Sequence, residues 1–342
     1  REVERLVGHR AALAEFGDAL ESGRLQHAWL IVGPEGVGKA TLSYTFARRV
    51  LALGHEHRDP ALASKVAGLS HPNLLLIRRS FNDRTKRYSQ WIGVDEVRRL
   101  RNFLGHSAAE RGWRVVIVDR ADELNQNAAN ALLKALEEPP SETLFLLIAT
   151  AEGRIPVTIR SRCRTLRVGA LPPADLEEAV RTALARDGFK VEEETLKSAL
   201  ALSQGGVRRA LELATGEGIG LYGDVLRLLR SLPELDGTEV QRLADRISST
   251  TETERLELFF SLLLGVIERL IRFSAGGEGA KIGDERELAR KLVSPAALTA
   301  WVDAWEEIGA AKADALGLNL DRNLLVLDTF RRLQAAARRR PV

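Results

Sequence analysis

Between residues 28 and 148, four short apolar runs alternate with amphipathic stretches: Ala28–Val32, Asn73–Ile77, Arg114–Val118 and Leu144–Ile148. Runs of that length, with apolar residues on both strand faces, predict strands of a parallel sheet covered by helices on either side. An α/β domain is therefore expected over residues 1–168. After Leu171-Pro172-Pro173 the strand pattern stops and helical periodicity takes over, so the proline pair marks a boundary. A small helical unit is expected over 169–217, ending where Gly216-Glu217-Gly218-Ile219-Gly220 breaks the pattern, and a second over 218–342. The stretch Ala275–Ala280 reads as a flexible loop between helices, and no internal repeat is visible.

The apolar share, 45% of 342 residues, and the charged share, 28%, suit a globular protein of more than one core. No apolar run approaches the ~18 residues needed to span a membrane, and no signal-peptide pattern opens the chain, so no membrane role is expected. A single cysteine, Cys163, allows no internal disulfide and suits a reducing compartment; the cytoplasm is the expected location. A net charge of +3 and a pI near 9.1 tolerate a phosphate backbone nearby without making nucleic acid the default partner.

The run Gly33-Pro34-Glu35-Gly36-Val37-Gly38-Lys39-Ala40-Thr41 directly follows the first expected strand and opens a helix. In that setting Gly-x4-Gly-Lys is a phosphate cradle. Gly33, Gly36 and Gly38 let backbone N–H groups converge, the helix N-terminus favours anions, and Lys39 adds charge. ATP or ADP is the expected ligand, weakly held. Where such loops carry Ser or Thr to hold magnesium, this chain has Ala40; Thr41 lies about 100° further round the helix and is not a substitute. Magnesium is accordingly doubtful. The third strand runs into Asp119-Arg120-Ala121-Asp122-Glu123, placing Asp119 at a strand end where α/β sheets bind ligands. Asp119 is either a residual metal contact or a structural strand-end residue.

Two further segments carry a resemblance. Asn127-Ala128-Ala129-Asn130-Ala131-Leu132-Leu133-Lys134-Ala135-Leu136-Glu137-Glu138-Pro139-Pro140 and Ile155-Pro156-Val157-Thr158-Ile159-Arg160-Ser161-Arg162-Cys163 closely resemble the clamp-loader subset of AAA+ P-loop NTPases, and within it the delta-prime type of DNA polymerase III. The likeness runs from Leu6-Val7-Gly8-His9 to Leu211; beyond that only helical character matches. It implies a parallel-sheet core, a helical lid and an all-α collar that mediates oligomerisation. For the collar, Leu256–Ile267 offers more apolar surface than one helix face needs, either for a partner or for the module's own core.

The resemblance also implies roles. Arg162 matches the arginine finger extended in trans to a neighbour's ATP site, Arg208 the lid arginine that touches the chain's own nucleotide, Thr150 lies near the sensor-1 position, and Leu6–Gly8 lines the adenine pocket. A glutamate follows the strand-end aspartate in hydrolysing relatives; here Arg120 stands there. With Ala40 this leaves a largely non-hydrolysing subunit, in contrast to a gamma/tau-type motor or a DNA-processing AAA+ enzyme. The implied partners are the gamma/tau motor and delta subunits and, indirectly, the sliding clamp and primer-template DNA. Many relatives carry a four-cysteine zinc module after the P-loop helix; this stretch has only His55, His57 and His71, and no metal is expected. Arg78, Arg79, Arg84, Lys86 and Arg87, and the tail Arg338-Arg339-Arg340, are candidate phosphate contacts, with no interleaved aromatics to suggest base stacking.

Overall fold

A computed structural model describes residues 6–54, 61–82, 84, 87–105, 112–248, 253–277, 283–318 and 320–338. His55, His57, Lys86, Arg339 and Arg340, and the end of the expected loop at 278–280, lie outside the described residues. The chain divides into two compact units, residues 1–190 with 203–210, and 191–202 with 211–342.

In the first unit, strands β1 (Ala28–Val32), β2 (Leu74–Ile77), β5 (Arg114–Val118), β6 (Thr143–Ala149) and β7 (Arg164–Arg167) form a five-stranded sheet in the order β2-β5-β6-β1-β7, every pair parallel. Two short strands, β3 (Phe81–Asn82) and β4 (Arg87–Tyr88), form a separate antiparallel hairpin. The helices are α1 (Arg10–Glu21), α2 (Lys39–Leu51), α3 (Leu62–Ala67), α4 (Val94–Gly105), α5 (Gln126–Glu137), α6 (Val157–Arg160) and α7 (Pro173–Arg186).

The central strands are apolar throughout because both faces are covered. Trp29 and Ile31 enter one core with Phe16 of α1 and Leu42 and Phe46 of α2; Ala28, Leu30 and Val32 enter the other with Leu100 of α4 and Leu132 and Leu136 of α5. Each fully buried side chain of this kind contributes roughly 1.5–3 kcal/mol, so the two-sided burial dominates the stability of the sheet. Phe16 stacks on Phe46 at 3.8 Å between ring centroids. The four expected strands are present. β7 was not anticipated, because an edge strand reading Arg-Thr-Leu-Arg buries only Leu166 fully and carries no apolar run.

The helices after Pro172 are shared between the units: α7 and the start of α9 (Val207–Thr215) go with the first, and α8 (Glu193–Leu202) with the second. The second unit also holds α10 (Gly218–Ser231), α11 (Gly237–Ile247), α12 (Thr253–Ser274), α13 (Gly283–Leu292), α14 (Leu298–Leu318) and α15 (Arg322–Arg338) around one apolar core. The surplus apolar surface of α12 is consumed there: Leu256, Phe259, Phe260, Leu262, Leu263, Val266 and Ile267 are all buried. That segment therefore supplies the unit's own core, with Leu258 and Leu264 packed partly buried against it. Within the core, Arg269 makes a forked ion pair with fully buried Glu285, whose Oε1 also accepts from Tyr222 Oη at 2.8 Å. Every charge in that group has a partner, as burial demands.

Candidate functional site

The parallel register brings the ends of β1, β6 and β5 level, with Val32 beside Ala149 and Val118 beside Leu147. The glycine loop, Thr150 and Asp119 therefore emerge along one edge of the sheet, where α/β folds bind ligands. The loop glycines answer to two different constraints. A Cβ on Gly33 would lie 2.0 Å from the Val168 carbonyl, because the chain leaving β7 bonds Val168 N to Val32 O. Gly36 and Gly38 adopt φ of 78° and 104°, in the left-handed region that side chains disfavour. The Leu6–His9 segment leads onto this loop, with His9 Nε2 donating to Val37 O at 2.7 Å.

Lys39 opens α2 and is only 7% exposed; its Nζ donates to the carbonyls of Gly33 and Pro34 at 2.7 and 2.6 Å. Burial pulls its amine below the ordinary lysine range, against the fields of Glu35, Asp122 and Asp119. The loop and lysine fit a phosphate. A magnesium ligand set does not fit: Ala40 has no hydroxyl, and the next hydroxyls on α2 bond their own helix, Ser43 to Lys39 O and Thr45 to Thr41 O. Thr41 is half-buried on the first turn of the same helix.

Arg120, in the place of the hydrolytic glutamate, sits in the left-handed region at φ 64°. Its guanidinium pairs with Glu35 of the glycine loop at 3.3 Å and with Glu123 at 2.7 Å. Glu123 pairs in turn with Arg79 at 3.0 Å, and Arg79 lies over the Tyr88 ring at 5.8 Å. A chain of alternating charge thus runs from the phosphate loop to the β3-β4 hairpin. Desolvation pushes the carboxyls of Asp119 and Glu123 above the ordinary acid range, and the nearby arginines partly offset it. Asp122, the neighbouring candidate for a displaced acid, receives both the backbone N–H and the hydroxyl of Thr150 on Oδ2. It is committed to holding the β6 end, and so is Thr150.

Arg208 is the second residue of α9, and its backbone N–H donates to Gly36 O at 3.3 Å, so the lid-arginine position and the glycine loop meet within the first unit. Arg162 lies elsewhere. Arg164, two residues on, is level with Trp29 in the β1-β7 register, four residues before Gly33. At ~3.3 Å per strand residue that is about 13 Å from the loop, towards the opposite sheet edge. The Arg162 guanidinium donates to Thr158 O at 2.8 Å and pairs with Glu137 of α5 at 2.6 Å, with about a third of the side chain exposed. Arg164 instead packs over the Trp29 ring at 4.8 Å and pairs with Glu15 at 2.7 Å. Cys163 between them is mostly buried, which pushes its thiol up to about 12 and leaves it unreactive.

Two features escaped the sequence reading. One is the Glu35-Arg120-Glu123-Arg79 chain, which needs the turn after β5 to bring distant charges together. The other is a correction: aromatics do interleave the basic segment, since Phe81 and Tyr88 face each other across the hairpin at 4.9 Å and both are exposed, as is Trp91. The signal was present as Phe81, Tyr88 and Trp91 spaced among arginines. His71 is buried, and its Nδ1 accepts from Asn73 N at 3.1 Å. Among the described residues no group of three or more His, Cys, Asp or Glu is arranged to hold a metal, and no helix is long and apolar enough to cross a membrane.

Residues 8–172, from the segment before α1 to the end of the parallel sheet, match the family described as "DNA polymerase III, delta subunit". The match covers just under half of this chain. Curated proteins align further along the chain. The DNA polymerase III subunit gamma of Buchnera aphidicola is 28% identical over 236 residues, 67% of this chain and 63% of that protein. Subunit tau of Bacillus subtilis is 27% identical over 270 residues (76% and 46%), and subunit tau of Escherichia coli 27% over 319 (84% and 47%). The chain thus spans about half to just under two thirds of these relatives' length. A solved gamma subunit-related protein from Thermotoga maritima aligns over 94% of this chain and 99% of that one, at 20% identity and a TM-score of 0.45.

Proposed function

We propose that this chain is a delta-prime type subunit of a DNA polymerase III clamp loader: it hydrolyses little or no ATP itself and supplies Arg162 to the ATP site of an adjacent gamma/tau-type motor subunit. The observation that carries the reading is Arg120. The residue standing where a water-polarising acid is needed is a cation, tied by Glu35 and Glu123 across the mouth of the loop. Together with Ala40 this removes both the magnesium hydroxyl and the base, and phosphoryl transfer has little left beyond a phosphate cradle. Nucleotide, when bound, would rest on Gly33, Gly36, Gly38, Lys39 and Thr41, with Asp119 and Arg208 at its edges. The other implied partners are the delta subunit, the sliding clamp and primer-template DNA.

A guanidinium suits the trans role because it is always charged and its fork matches γ-phosphate oxygens. Arg162 is accessible, held by the Glu137 carboxylate, the Thr158 carbonyl and a long contact to Ser161 Oγ, which a stronger anion can replace, and lies away from its own loop. The second reading, a gamma/tau-type motor, is favoured by the names of the relatives. The two are separated by ATP turnover of the purified chain: activity comparable with a motor subunit would overturn the first. In a complex reconstituted with the motor and delta subunits of its own organism, Arg162→Ala is expected to assemble normally and to lower DNA-stimulated ATPase and clamp loading. Arg162→Lys should rescue poorly, since a point charge lacks the fork. Loss of assembly, or an equal effect from Arg160→Ala, would assign Arg162 a structural role.

A further inference from the structure

The β3-β4 hairpin concentrates two properties that are scarce in the rest of the chain. Aromatics make up only 5% of the sequence. Of the four large exposed aromatics among the described residues, Phe81, Tyr88, Trp91 and Phe189, three fall within eleven positions here, at 46%, 54% and 50% exposure. Residues 78–101 also carry eight Arg or Lys against three Asp or Glu, a net of +5 where the whole chain carries +3. Arg78, Arg84 and Arg101 are exposed within that stretch, while Arg98 and Arg99 pair with Asp95 and Glu96 on α4.

An exposed aromatic pair is costly unless something covers it, and the surroundings define what that is. A protein partner that buried these rings would also have to desolvate the arginines around them. Single-stranded DNA satisfies both: its bases stack on aromatic faces, and its phosphates take the cations. Two of the rings are held by neighbours, and the backbone beside the third is fixed. Phe81 packs edge-on against Tyr88, Arg79 braces Tyr88 from Glu123, and Ile92, directly after Trp91, donates to Glu123 O at 2.8 Å and accepts from Asn125 N at 3.2 Å. Rings fixed in advance lose little freedom when a base stacks on them.

We propose that Phe81, Tyr88 and Trp91, with Arg78 and Arg84, form a stacking site for single-stranded DNA. The stacking chemistry rests on the surface alone, and the choice of DNA over RNA rests on the clamp-loader reading proposed above. The test titrates the full chain with fluorescein-labelled oligo(dT), oligo(U) and a blunt duplex of equal length, following anisotropy at several salt concentrations.

Tyr88→Ala and Trp91→Ala are each expected to weaken oligo(dT) binding by at least about fivefold. Tyr88→Phe should retain the wild-type affinity, and Phe189→Ala should have no effect. Arg78→Gln and Arg84→Gln should each reduce the salt slope by about 0.7. All of these side chains are exposed, so each variant should stay folded, with Tyr88→Ala giving up only the Phe81 and Arg79 contacts within the hairpin. The proposal is overturned if the alanine variants bind oligo(dT) like the wild type, if the duplex or oligo(U) binds as tightly as oligo(dT), or if the variants lose assembly with other subunits while keeping DNA affinity, which would make the hairpin a protein contact.

Discussion

Three arginines lie within five positions, 160, 162 and 164, and the structure gives them different stability consequences that can be measured without any partner. Arg164 pairs with Glu15 at 2.7 Å, both side chains being nearly two fifths exposed, and covers the fully buried Trp29 ring at 4.8 Å. A half-exposed ion pair contributes about 0.5–1 kcal/mol and a cation over an indole a similar amount, so Arg164→Ala should cost about 1–2 kcal/mol. Arg162 has one comparably exposed pair with Glu137 and no ring beneath it. Arg162→Ala should therefore cost about 0.5 kcal/mol or less. In a unit of some two hundred residues 1 kcal/mol moves the melting temperature by about 2–4 °C, so the two variants should separate clearly. Thermal melts, with hydrogen exchange at the β1 amides of Ala28–Val32 as the local probe, make the comparison. If Arg162→Ala destabilised β1 as much as Arg164→Ala, Arg162 would be part of the framework and its availability to a neighbour would fail. The same result decides the controls, since Arg160→Ala is a fair control for charge and Arg164→Ala is not.

Gly33→Ala places a methyl 2.0 Å from Val168 O and should cost about 2–4 kcal/mol in melts, whereas Gly36→Ala, with its nearest contact at 3.3 Å and only the positive φ to accommodate, should cost about 1 kcal/mol. Because the folded amine of Lys39 titrates below its unfolded value, the unfolded chain binds more protons between the two, and stability should rise with pH across that window up to about 10.5. Lys39→Met should remove this rise from the difference between wild-type and variant denaturation curves, and a parallel curve would refute it. In the second unit, Glu285→Ala leaves buried Arg269 uncompensated and should cost about 3–5 kcal/mol by denaturant melts; the double change Arg269→Met with Glu285→Leu should recover most of that loss.

How much could be read in advance depended on how local each feature was. The strands β1, β2, β5 and β6 were legible because burial on both faces writes an unbroken apolar run into the sequence, and the phosphate loop because glycines, a lysine and a following helix are contiguous. The missing hydroxyl at Ala40 and the cation at Arg120 were likewise single-position facts. Other features depended on contacts between distant positions: β7 is a strand because β1 offers it a partner, and Gly33 is glycine because residue 168 returns against it. α12 faces its own core although its composition would equally have suited a partner. The pairing of Arg120 with Glu35 joins side chains 85 positions apart and that of Arg164 with Trp29 and Glu15 joins side chains more than 100 apart, while Arg162 meets Glu137 only 25 positions away. Charge and shape at a single residue are properties of the sequence; which charges meet, and which remain exposed for another molecule, is decided by the register and packing of the sheet.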